Sequence, residues 1–417
     1  MSRALVYKAL ARCQRDGAWS SQTFSALAEG SGLSAGDRAF SLRLFYGILQ
    51  NLYLLDFYID SFAAKKPQAR VRDVLRIGLY QLLYMDAVPD WAAVNETVSM
   101  ARSVGLSYAS GFVNALLRKI IAQKNGLPEI PGDLPERLSV RYSHPRWLVE
   151  YLLAERGPAG AEAVLKADNT AVPVYVQLNT LKPAAEKMKR YPGASMFSGV
   201  KNCLAIEAAT GLFASEEYAG GLFYAQDPAA RLAVSAAELK PGMSVLDACA
   251  APGGKSFSAA VDMQNRGSIL SRDISPAKLN LIRGGAARLG IDIITCEAAD
   301  ATQPRVGQFD AVIADVPCSG LGVIRKKPEI RYKDETSFSG LADIQWKIIN
   351  NLARNVKPGG VLLYSTCTFR REENGGITSR FIQNNKAFTI EYERTFWPDI
   401  DNTDGFYVCR IRRASQI

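Results

Sequence analysis

The second half of the chain alternates short strand patterns with helical patterns, and this alternation restricts the possible folds more than any other feature. Apolar strand patterns occur at residues 244–247, 267–271, 291–296, 309–314 and 361–364. Strands that alternate with helices predict a doubly wound, mostly parallel sheet with helices on both faces. Such sheets bind their ligands in the loops that follow the carboxyl ends of the strands.

The preceding part of the chain has a different pattern. Residues 1–125 are helical throughout, because apolar residues recur there at spacings of three and four. A segment rich in Pro and Gly at 125–135 is typical of a linker, and the stretch after it mixes short helical and strand patterns. We therefore predict an all-α domain at 1–125, a linker with a small α+β domain at 126–228, and an α/β domain at 229–417.

Composition disfavours several classes of protein. No apolar run reaches the roughly 20 residues that span a membrane, so we expect a soluble protein. The seven cysteines include no CxxC pair, and His144 is the single histidine. This disfavours a disulfide framework, a zinc ribbon and a histidine-rich metal site. We expect no bound metal, a reducing cytoplasmic environment and a monomer.

The charge balance favours a polyanionic partner. The formal net charge is +9, from 50 basic and 41 acidic side chains. One basic cluster in the helical domain consists of Lys65, Lys66, Arg70, Arg72 and Arg76. A second basic cluster consists of Arg325, Lys326, Lys327, Arg331 and Lys333. We predict that the second cluster contacts nucleic-acid phosphates, whereas the first is as readily a solvated charged face as a binding surface.

Two cysteines lie in separate loops that each follow an apolar strand pattern. Cys318 is part of Asp315-Val-Pro-Cys-Ser-Gly320, and Cys367 is part of Ser365-Thr-Cys-Thr368. Loops of this kind share one edge of a parallel sheet, so we expect both thiols to face one crevice. Two thiols in polar loops indicate covalent chemistry on an electrophilic ring carbon. The other five cysteines are typical of small buried apolar residues.

A turn of small residues follows the first strand of the α/β region. Its sequence, Asp247-Ala-Cys-Ala-Ala-Pro-Gly-Gly-Lys255, lets the backbone at a helix start approach a ligand. A Walker A loop would require glycine where this chain has Cys249. Acids that can bind a ribose or an adenine lie at successive strand ends, and they are Asp247, Asp273, Asp300 and Asp315. The spacing predicts an adenosine-containing cofactor, and NAD remains possible although its GxGxxG fingerprint is absent.

The cofactor turn and the two cysteine motifs together resemble those of the Nol1/Nop2/Sun family of RNA cytosine-5 methyltransferases. The three motifs are residues 247–255, 315–320 and 365–368. In the helical domain, Asp37-Arg-Ala-Phe40 and Gly47-Ile48 are similar to the NusB-type RNA-binding fold. The resemblance covers essentially the whole chain. It implies a NusB-like domain followed by a Rossmann-like class I methyltransferase domain.

The resemblance also implies an activity, a cofactor and a set of site residues. Members of the family bind S-adenosylmethionine and methylate carbon 5 of cytosine, and the helical domain indicates small-subunit (16S) ribosomal RNA as substrate by analogy. Cys367 would be the nucleophile, Cys318 would assist release of the product, and Asp315 would lie at the edge of the active site. The implied cofactor contacts are Cys249, Ala250, Ala251, Pro252, Gly253, Gly254, Lys255, Asp273, Asp300 and Asp315.

Three alternatives remain open from the sequence. A DNA cytosine-5 methyltransferase would attack with the Pro-Cys cysteine, a transfer RNA methyltransferase would share the chemistry, and a non-catalytic RNA-binding assembly factor would need neither thiol. Because no histidine is expected to deprotonate Cys367, nearby cations are expected to favour its thiolate. The candidates are Lys255, Arg325 and Arg370.

Overall fold

The computed structural model describes nearly the whole chain, namely residues 1–16, 19–207, 209–304 and 307–415. Within these ranges no helix combines the length and the apolar character that a membrane crossing requires. The chain divides into two units, and each consists of two stretches of sequence. The first unit is Met1–Thr170 with Ile324–Lys333, and the second is Ala171–Val323 with Asp334–Ile417. The finer division at residues 125 and 228 stays a prediction.

The first unit is built from α-helices around one apolar core. Ser34 caps the third helix, since its hydroxyl accepts a hydrogen bond from the backbone N–H of Asp37. Gly47 lies against Tyr80, and a Cβ atom at this glycine would come within 2.0 Å of the tyrosine ring. The helices are α1 (Ser2–Asp16), α2 (Ser20–Glu29), α3 (Ala35–Gln50), α4 (Leu52–Phe62), α5 (Ala69–Tyr84), α6 (Asp90–Ser103), α7 (Ser110–Ala122), α8 (Leu134–Tyr142) and α9 (Arg146–Ala167). The prediction of an all-α N-terminal domain is confirmed.

The second unit begins with a small antiparallel sheet whose strand order is β2-β3-β1-β4. The predicted strand at residues 174–178 is β1. The sheet has its own apolar core, which includes Val176, Leu204 and Phe223. Its elements are β1 (Val174–Leu178), β2 (Ala194–Met196), β3 (Cys203–Ile206), α10 (Glu216–Ala219) and β4 (Phe223–Ala225).

A larger sheet of seven strands follows in the order β10-β11-β9-β8-β5-β6-β7. The five strands from β9 to β7 are parallel, whereas β10 and β11 are antiparallel to their neighbours. The elements are α11 (Pro228–Ala236), β5 (Ser244–Asp247), α12 (Gly254–Asp262), β6 (Ser268–Asp273), α13 (Pro276–Leu289), β7 (Ile294–Ala298), β8 (Phe309–Asp315), α14 (Leu341–Ala353), β9 (Val356–Thr366), α15 (Gly375–Asn384), β10 (Phe388–Phe396), α16 (Pro398–Asp401) and β11 (Phe406–Arg413). Separate apolar cores cover the two faces, one with α11, α12 and α13 and the other with α14 and α15. The predicted doubly wound, mostly parallel sheet is confirmed.

Some strand boundaries were predicted wrongly. The predicted strand at 361–364 is part of a longer strand, β9, which spans Val356–Thr366. The sequence placed a strand at 291–296, but β7 begins at Ile294. Gly290 adopts a left-handed conformation at φ 72°, and the N–H of Ile291 donates to the carbonyl of Ala286 at 2.9 Å. These residues therefore complete the end of α13 before the strand starts.

The prediction that the whole second basic cluster contacts phosphates is also wrong. Residues 324–333 pack as part of the first unit, and both Arg325 and Arg331 are buried there. Only Lys327 and Lys333 are exposed members, and their ammonium groups lie over the Trp19 ring. Two members of the first basic cluster are likewise engaged by acids, as Arg76 pairs with Asp56 and Asp73 and Arg72 pairs with Asp56 and Asp60.

Candidate active site

The loops that carry the predicted site residues follow neighbouring parallel strands. The strands β9, β8, β5, β6 and β7 are hydrogen-bonded neighbours in that order. Their carboxyl ends therefore share one edge of the sheet. In the same order, the residues at these ends are Cys367, Asp315 with Cys318, the Cys249–Lys255 turn, Asp273 and Asp300. The structure thus brings all the predicted site residues to one edge.

The turn after β5 is fixed by backbone hydrogen bonds. The N–H of Ala250 donates to the carbonyl of Arg272 at 2.8 Å, and the N–H of Gly253 donates to the carbonyl of Ala250 at 2.7 Å. The Ala251–Pro252 peptide bond is cis. Gly253 has φ 114°, and a Cβ atom there would lie 2.6 Å from the Phe257 ring. Glycine is therefore required at the N-cap of α12, and no side chain caps the N–H groups of this helix start.

Asp247 lies beneath this turn and is fully buried. One carboxylate oxygen accepts a hydrogen bond from the Ser256 hydroxyl at 2.7 Å, and Ser256 also contacts Ser271 at 2.7 Å. The other oxygen has no hydrogen-bond partner among the described residues. Burial raises the pKa of Asp247 to about 7, although the Ser256 hydrogen bond and the Lys255 charge oppose that shift. Asp247 thus supports the turn from below.

Asp273 and Asp300 are partly buried and hold neighbouring turns. The carboxylate of Asp273 accepts from the N–H of Ala251 at 3.2 Å and from the N–H of Ser275 at 2.9 Å. Asp300 accepts from the N–H and the hydroxyl of Thr302, both at 2.8 Å. An ionised carboxylate offers about four acceptor positions, so both acids retain the capacity to accept hydrogen bonds from a ligand.

Asp315 connects the turn to the cysteine loops. One of its oxygens accepts from Lys255 Nζ at 2.6 Å and the other from the Ser365 hydroxyl at 2.8 Å. Burial lowers the pKa of Lys255, but Asp315, and more weakly Asp247 and Cys367, outweigh burial and raise it. Lys255 therefore stays charged. Lys255 is one of the three cations proposed to favour the thiolate of Cys367, and it interacts electrostatically with that residue.

Arg370, another of the proposed cations, pairs with acidic side chains. It forms ion pairs with Glu372, with Glu335 at 3.4 Å and with the buried Glu373 at 4.0 Å. The prediction that Arg325 or Arg370 favours the thiolate stays a prediction.

The thiol groups of Cys318 and Cys367 are in contact. The Sγ atoms of Cys318 and Cys367 are 3.1 Å apart, and both residues are partly buried. The pKa of the Cys318 thiol is raised well above its ordinary value, first by its hydrogen bond with Cys367 and then by burial. Either thiol can donate in this contact, and the raised pKa of Cys318 favours its protonated form. Across the described residues, no group of three or more His, Cys, Asp or Glu side chains is arranged to hold a metal ion.

Two buried residues that the sequence analysis missed hold the Cys318 loop. Glu373 is 2% exposed, and its carboxylate accepts from the N–H of Ser319 at 2.9 Å and from the Gln345 side chain at 3.0 Å. Gln345 also donates to the Pro317 carbonyl at 2.9 Å, and the Ser319 hydroxyl donates to the Thr368 hydroxyl at 2.9 Å. In the sequence, Glu373 lies six residues after Cys367 in a stretch of charged residues, which is typical of an exposed segment.

Comparison with known proteins gives two family matches and close relatives. Residues 234–412 match the family described as 16S rRNA methyltransferase RsmB/F, and residues 1–122 match the NusB family. The chain is 33% identical to the probable ribosomal RNA small subunit methyltransferase B of Bacillus subtilis, over 99% of this chain and 98% of that protein.

Solved structures share the fold. The crystal structure of PH0851 superposes with a TM-score of 0.82 at 24% identity and covers 99% of both chains. The crystal structure of NSun6 from Pyrococcus horikoshii with SFG has a TM-score of 0.59 at 20% identity, covering 65% of this chain and 99% of that one. With its N-terminal NusB domain and its Rossmann-like methyltransferase domain, the chain belongs to the RsmB/F family of methyltransferases.

Proposed function

We propose that this protein transfers a methyl group from S-adenosylmethionine to carbon 5 of a cytosine in small-subunit (16S) ribosomal RNA, through a covalent cysteine adduct at ring carbon 6. The observation that carries the proposal is the 3.1 Å contact between Cys318 and Cys367 next to the Asp315–Lys255 ion pair. The choice of RNA rests on the name of the Bacillus subtilis relative, a probable ribosomal RNA small subunit methyltransferase.

The residues after β5, β6 and β7 suit S-adenosylmethionine. The helix start at Gly253 offers N–H groups that no side chain caps, and Asp273 and Asp300 can accept from a ribose diol and an adenine amino group. NSun6, which has the same fold over its length, was solved with SFG, an S-adenosylmethionine analogue. When bound, S-adenosylmethionine supplies an electrophilic methyl group. We assign the remaining contacts to the backbone from Cys249 to Lys255.

Cys367 is the proposed nucleophile. Carbon 5 of cytosine is itself a weak nucleophile, so the Cys367 thiolate adds to carbon 6 and its electron pair forms the C6–S bond. The former C5–C6 π electrons then make carbon 5 nucleophilic enough to take the methyl group. Asp315, fixed by Lys255 and Ser365, hydrogen-bonds the ring nitrogen or amino group and stabilises the charge that develops there.

Cys318 is proposed to act after methyl transfer. The first cause of its raised pKa is the hydrogen bond with Cys367. Once Cys367 forms the C6–S bond it is an uncharged thioether, so this cause of the raised pKa disappears while burial remains. In the proposed step Cys318 gives its own proton to water, and its thiolate then accepts the proton from carbon 5. The C5–H electron pair restores the C5=C6 bond, and the C6–S bond breaks to return the Cys367 thiolate.

The test is methyl transfer from labelled S-adenosylmethionine to protein-free 16S ribosomal RNA, with wild type and Cys367→Ala side by side. We expect label on carbon 5 of a cytosine from wild type alone. Label on transfer RNA instead would overturn the substrate and keep the chemistry. Label from both proteins would overturn Cys367 as nucleophile, and no label on either RNA would favour a non-catalytic binding role.

A further inference from the structure

Hydrogen bonds before and after the two thiols hold the Cys318 loop against the Cys367 loop. The N–H of Val316 donates to the carbonyl of Ser365 at 3.1 Å, at the ends of β8 and β9. Beyond Cys318, the N–H of Gly322 donates to the carbonyl of Cys367 at 3.0 Å. The backbones on both sides of the thiols are therefore fixed to each other, which keeps the Sγ atoms 3.1 Å apart.

Two further contacts restrict the movement of these loops. The N–H of Gly405 donates to the carbonyl of Gly322 at 2.8 Å, and a Cβ atom at Gly322 would lie 1.7 Å from the Gly405 oxygen. Beside the thiols, the Ser319 hydroxyl donates to the Thr368 hydroxyl at 2.9 Å. All of these residues belong to the second unit, so this unit by itself brings the thiols together.

A disulfide between these thiols needs only a small movement. The sulfur atoms of a disulfide are about 2.0 Å apart, so Sγ atoms that start 3.1 Å apart approach by roughly 1 Å. Groups that are held this close react as though they were present at a very high concentration. Both cysteines are free and only partly buried, so a small oxidant can reach them. Cytosolic disulfides, where they form, are usually transient and catalytic or redox-sensing.

We propose that Cys318 and Cys367 form a reversible oxidation site, at which a hydroperoxide such as hydrogen peroxide links their sulfur atoms in a disulfide. In the first step the Cys367 thiolate attacks one peroxide oxygen, the O–O bond breaks, and a sulfenic acid and hydroxide form. In the second step the Cys318 sulfur attacks the Cys367 sulfur, the S–O bond breaks, and the hydroxyl group leaves as water with the Cys318 proton. The two thiols lose two electrons and two protons in total, and the peroxide is reduced to two molecules of water.

The order of the two steps follows from the surroundings of the thiols. The Lys255 ammonium interacts electrostatically with Cys367, and a nearby cation favours a thiolate. The hydrogen bond with Cys367 and burial raise the pKa of Cys318, so this thiol is the weaker nucleophile towards peroxide. Cys318 therefore resolves the sulfenic acid, before further peroxide converts it to an irreversible sulfinic acid.

The disulfide also stops methyl transfer, because it takes up the sulfur that attacks cytosine. This consequence rests on the proposed role of Cys367, whereas formation of the disulfide does not. A thiol reductant attacks the disulfide and returns both thiols. We therefore expect peroxide to inactivate the enzyme and a reductant to reactivate it.

The first experiment detects the disulfide without any assay of activity. The full-length protein is treated with hydrogen peroxide, its remaining thiols are alkylated, and it is digested without reductant for mass spectrometry. We expect a linked pair of peptides, one with Cys318 and one with Cys367. The unfolding temperature of the oxidised protein should not fall, because a cross-link restricts the unfolded chain. Absence of the linked pair would overturn the oxidation site.

The second experiment measures single-turnover methyl transfer to 16S ribosomal RNA, with label in the covalent protein–RNA complex included. Peroxide should lower transfer by wild type at least about tenfold, and dithiothreitol should restore it to within about twofold. In Cys318→Ala no thiol resolves the sulfenic acid, so excess peroxide should carry Cys367 to the sulfinic acid and dithiothreitol should not restore transfer. Full recovery of this variant would overturn the resolving role of Cys318.

A matched control tests whether the effect belongs to this pair of cysteines. Cys296 is also partly buried but lies in β7, so Cys296→Ala should lose and regain methyl transfer as wild type does. Protection of Cys296→Ala from peroxide would assign the inactivation to Cys296 and overturn the assignment to the thiol pair. If the linked peptides form but methyl transfer is unchanged, the oxidation site stands and the proposed role of Cys367 as nucleophile fails.

Discussion

The cofactor turn and the thiol pair lie at the same edge of one sheet, yet they are stabilised in different ways. The turn is held by residues close in sequence, such as Asp247 with Ser256 and Ala251 with Asp273. The thiol pair is held by contacts between residues about 30 to 50 positions apart, since Glu373 accepts from both Ser319 and Gln345. The turn therefore depends on β5, α12 and β6, which are consecutive in the chain, whereas the Cys318 loop depends on α14 and on the segment after β9.

This difference predicts that substitutions near the thiol pair and substitutions in the cofactor turn have different effects on turnover and on cofactor affinity. Substitutions around the thiols should alter turnover and leave cofactor affinity alone, because the hydrogen bonds described for Glu373 go to Ser319 and Gln345 and not to the turn. Lys255 is the exception, because it lies in the turn and also binds Asp315. The following four changes test this separation.

Removing the nucleophile gives the largest expected effect. Cys367→Ala should lower methyl transfer by at least about 1,000-fold, since a covalent route has no substitute once its nucleophile is absent. Cofactor affinity should stay within about twofold of wild type, equivalent to less than ~0.5 kcal/mol. Methyl transfer is measured under single-turnover conditions, and cofactor affinity is measured by calorimetric titration with S-adenosylmethionine. A tenfold loss of cofactor affinity would show that the thiol pair and the turn are not separable.

Lys255→Met should lower both turnover and cofactor affinity. The variant removes the cation that neutralises Asp315 at 2.6 Å, so we expect turnover to fall by about 100-fold, a typical loss for a group that supports acid–base or charge stabilisation. Cofactor affinity should also weaken, because the helix start changes. Lys357→Met is a matched control, since Lys357 pairs with Asp310 at 2.8 Å at the other end of β8. Equal losses in both variants would assign the effect to the stability of β8.

Much of the fold was predictable because its patterns are local. The strands around the cofactor turn carry short apolar runs, such as Val245-Leu246 in β5 and Ala311-Val-Ile-Ala314 in β8, as expected for strands buried on both faces. The antiparallel strands β10 and β11 were missed. Strand β10 exposes charged side chains such as Glu391 and Arg394, and only its pairing with β11 identifies it as part of the sheet. Edge strands of this kind carry little apolar signal.

The site was predictable to the extent that its motifs are contiguous. Cys318, Cys367 and Asp315 were found from short motifs, and the structure places them together. Glu373 was not found, and Arg331 was predicted to contact phosphates, because a charged side chain is rarely buried and is expected to face solvent. Their burial depends on partners that are remote in sequence, such as Ser319 for Glu373. Residues that orient a site across the fold are therefore the ones that sequence reading misses.

Glu373→Gln should lower turnover by a smaller factor and leave cofactor affinity unchanged. The amide keeps the shape and one acceptor oxygen but loses the charge, and it weakens two charge-assisted hydrogen bonds to the Cys318 loop. We expect turnover to fall by about tenfold, with unchanged cofactor affinity, as for a loss of ~1.4 kcal/mol. Glu372→Gln is the control, since this adjacent glutamate is exposed. An equal fall in turnover for both variants would contradict the assigned role of Glu373.

Asp247→Asn tests the cofactor turn by itself, through the pH dependence of the free energy of unfolding. Burial raises the pKa of Asp247 to about 7 from the value of 3.8 that an unburied carboxyl has. Between these pH values the folded protein binds more protons than the unfolded chain, so the free energy of unfolding falls as pH rises from about 4 to about 7 and is level above. The contribution is on the order of 4 kcal/mol at most.

Asparagine cannot ionise but still accepts from Ser256, so this decline should be absent from the variant. The measurement is urea unfolding of the cofactor-free protein at pH 5, 6, 7 and 8, with the variant subtracted from wild type so that all other titrating groups cancel. The difference should change steadily between pH 5 and 7 and become constant at pH 8. A difference that does not vary with pH would mean that Asp247 is already ionised in the folded protein. The turn would then be held by a buried charge and not by a neutral carboxyl group.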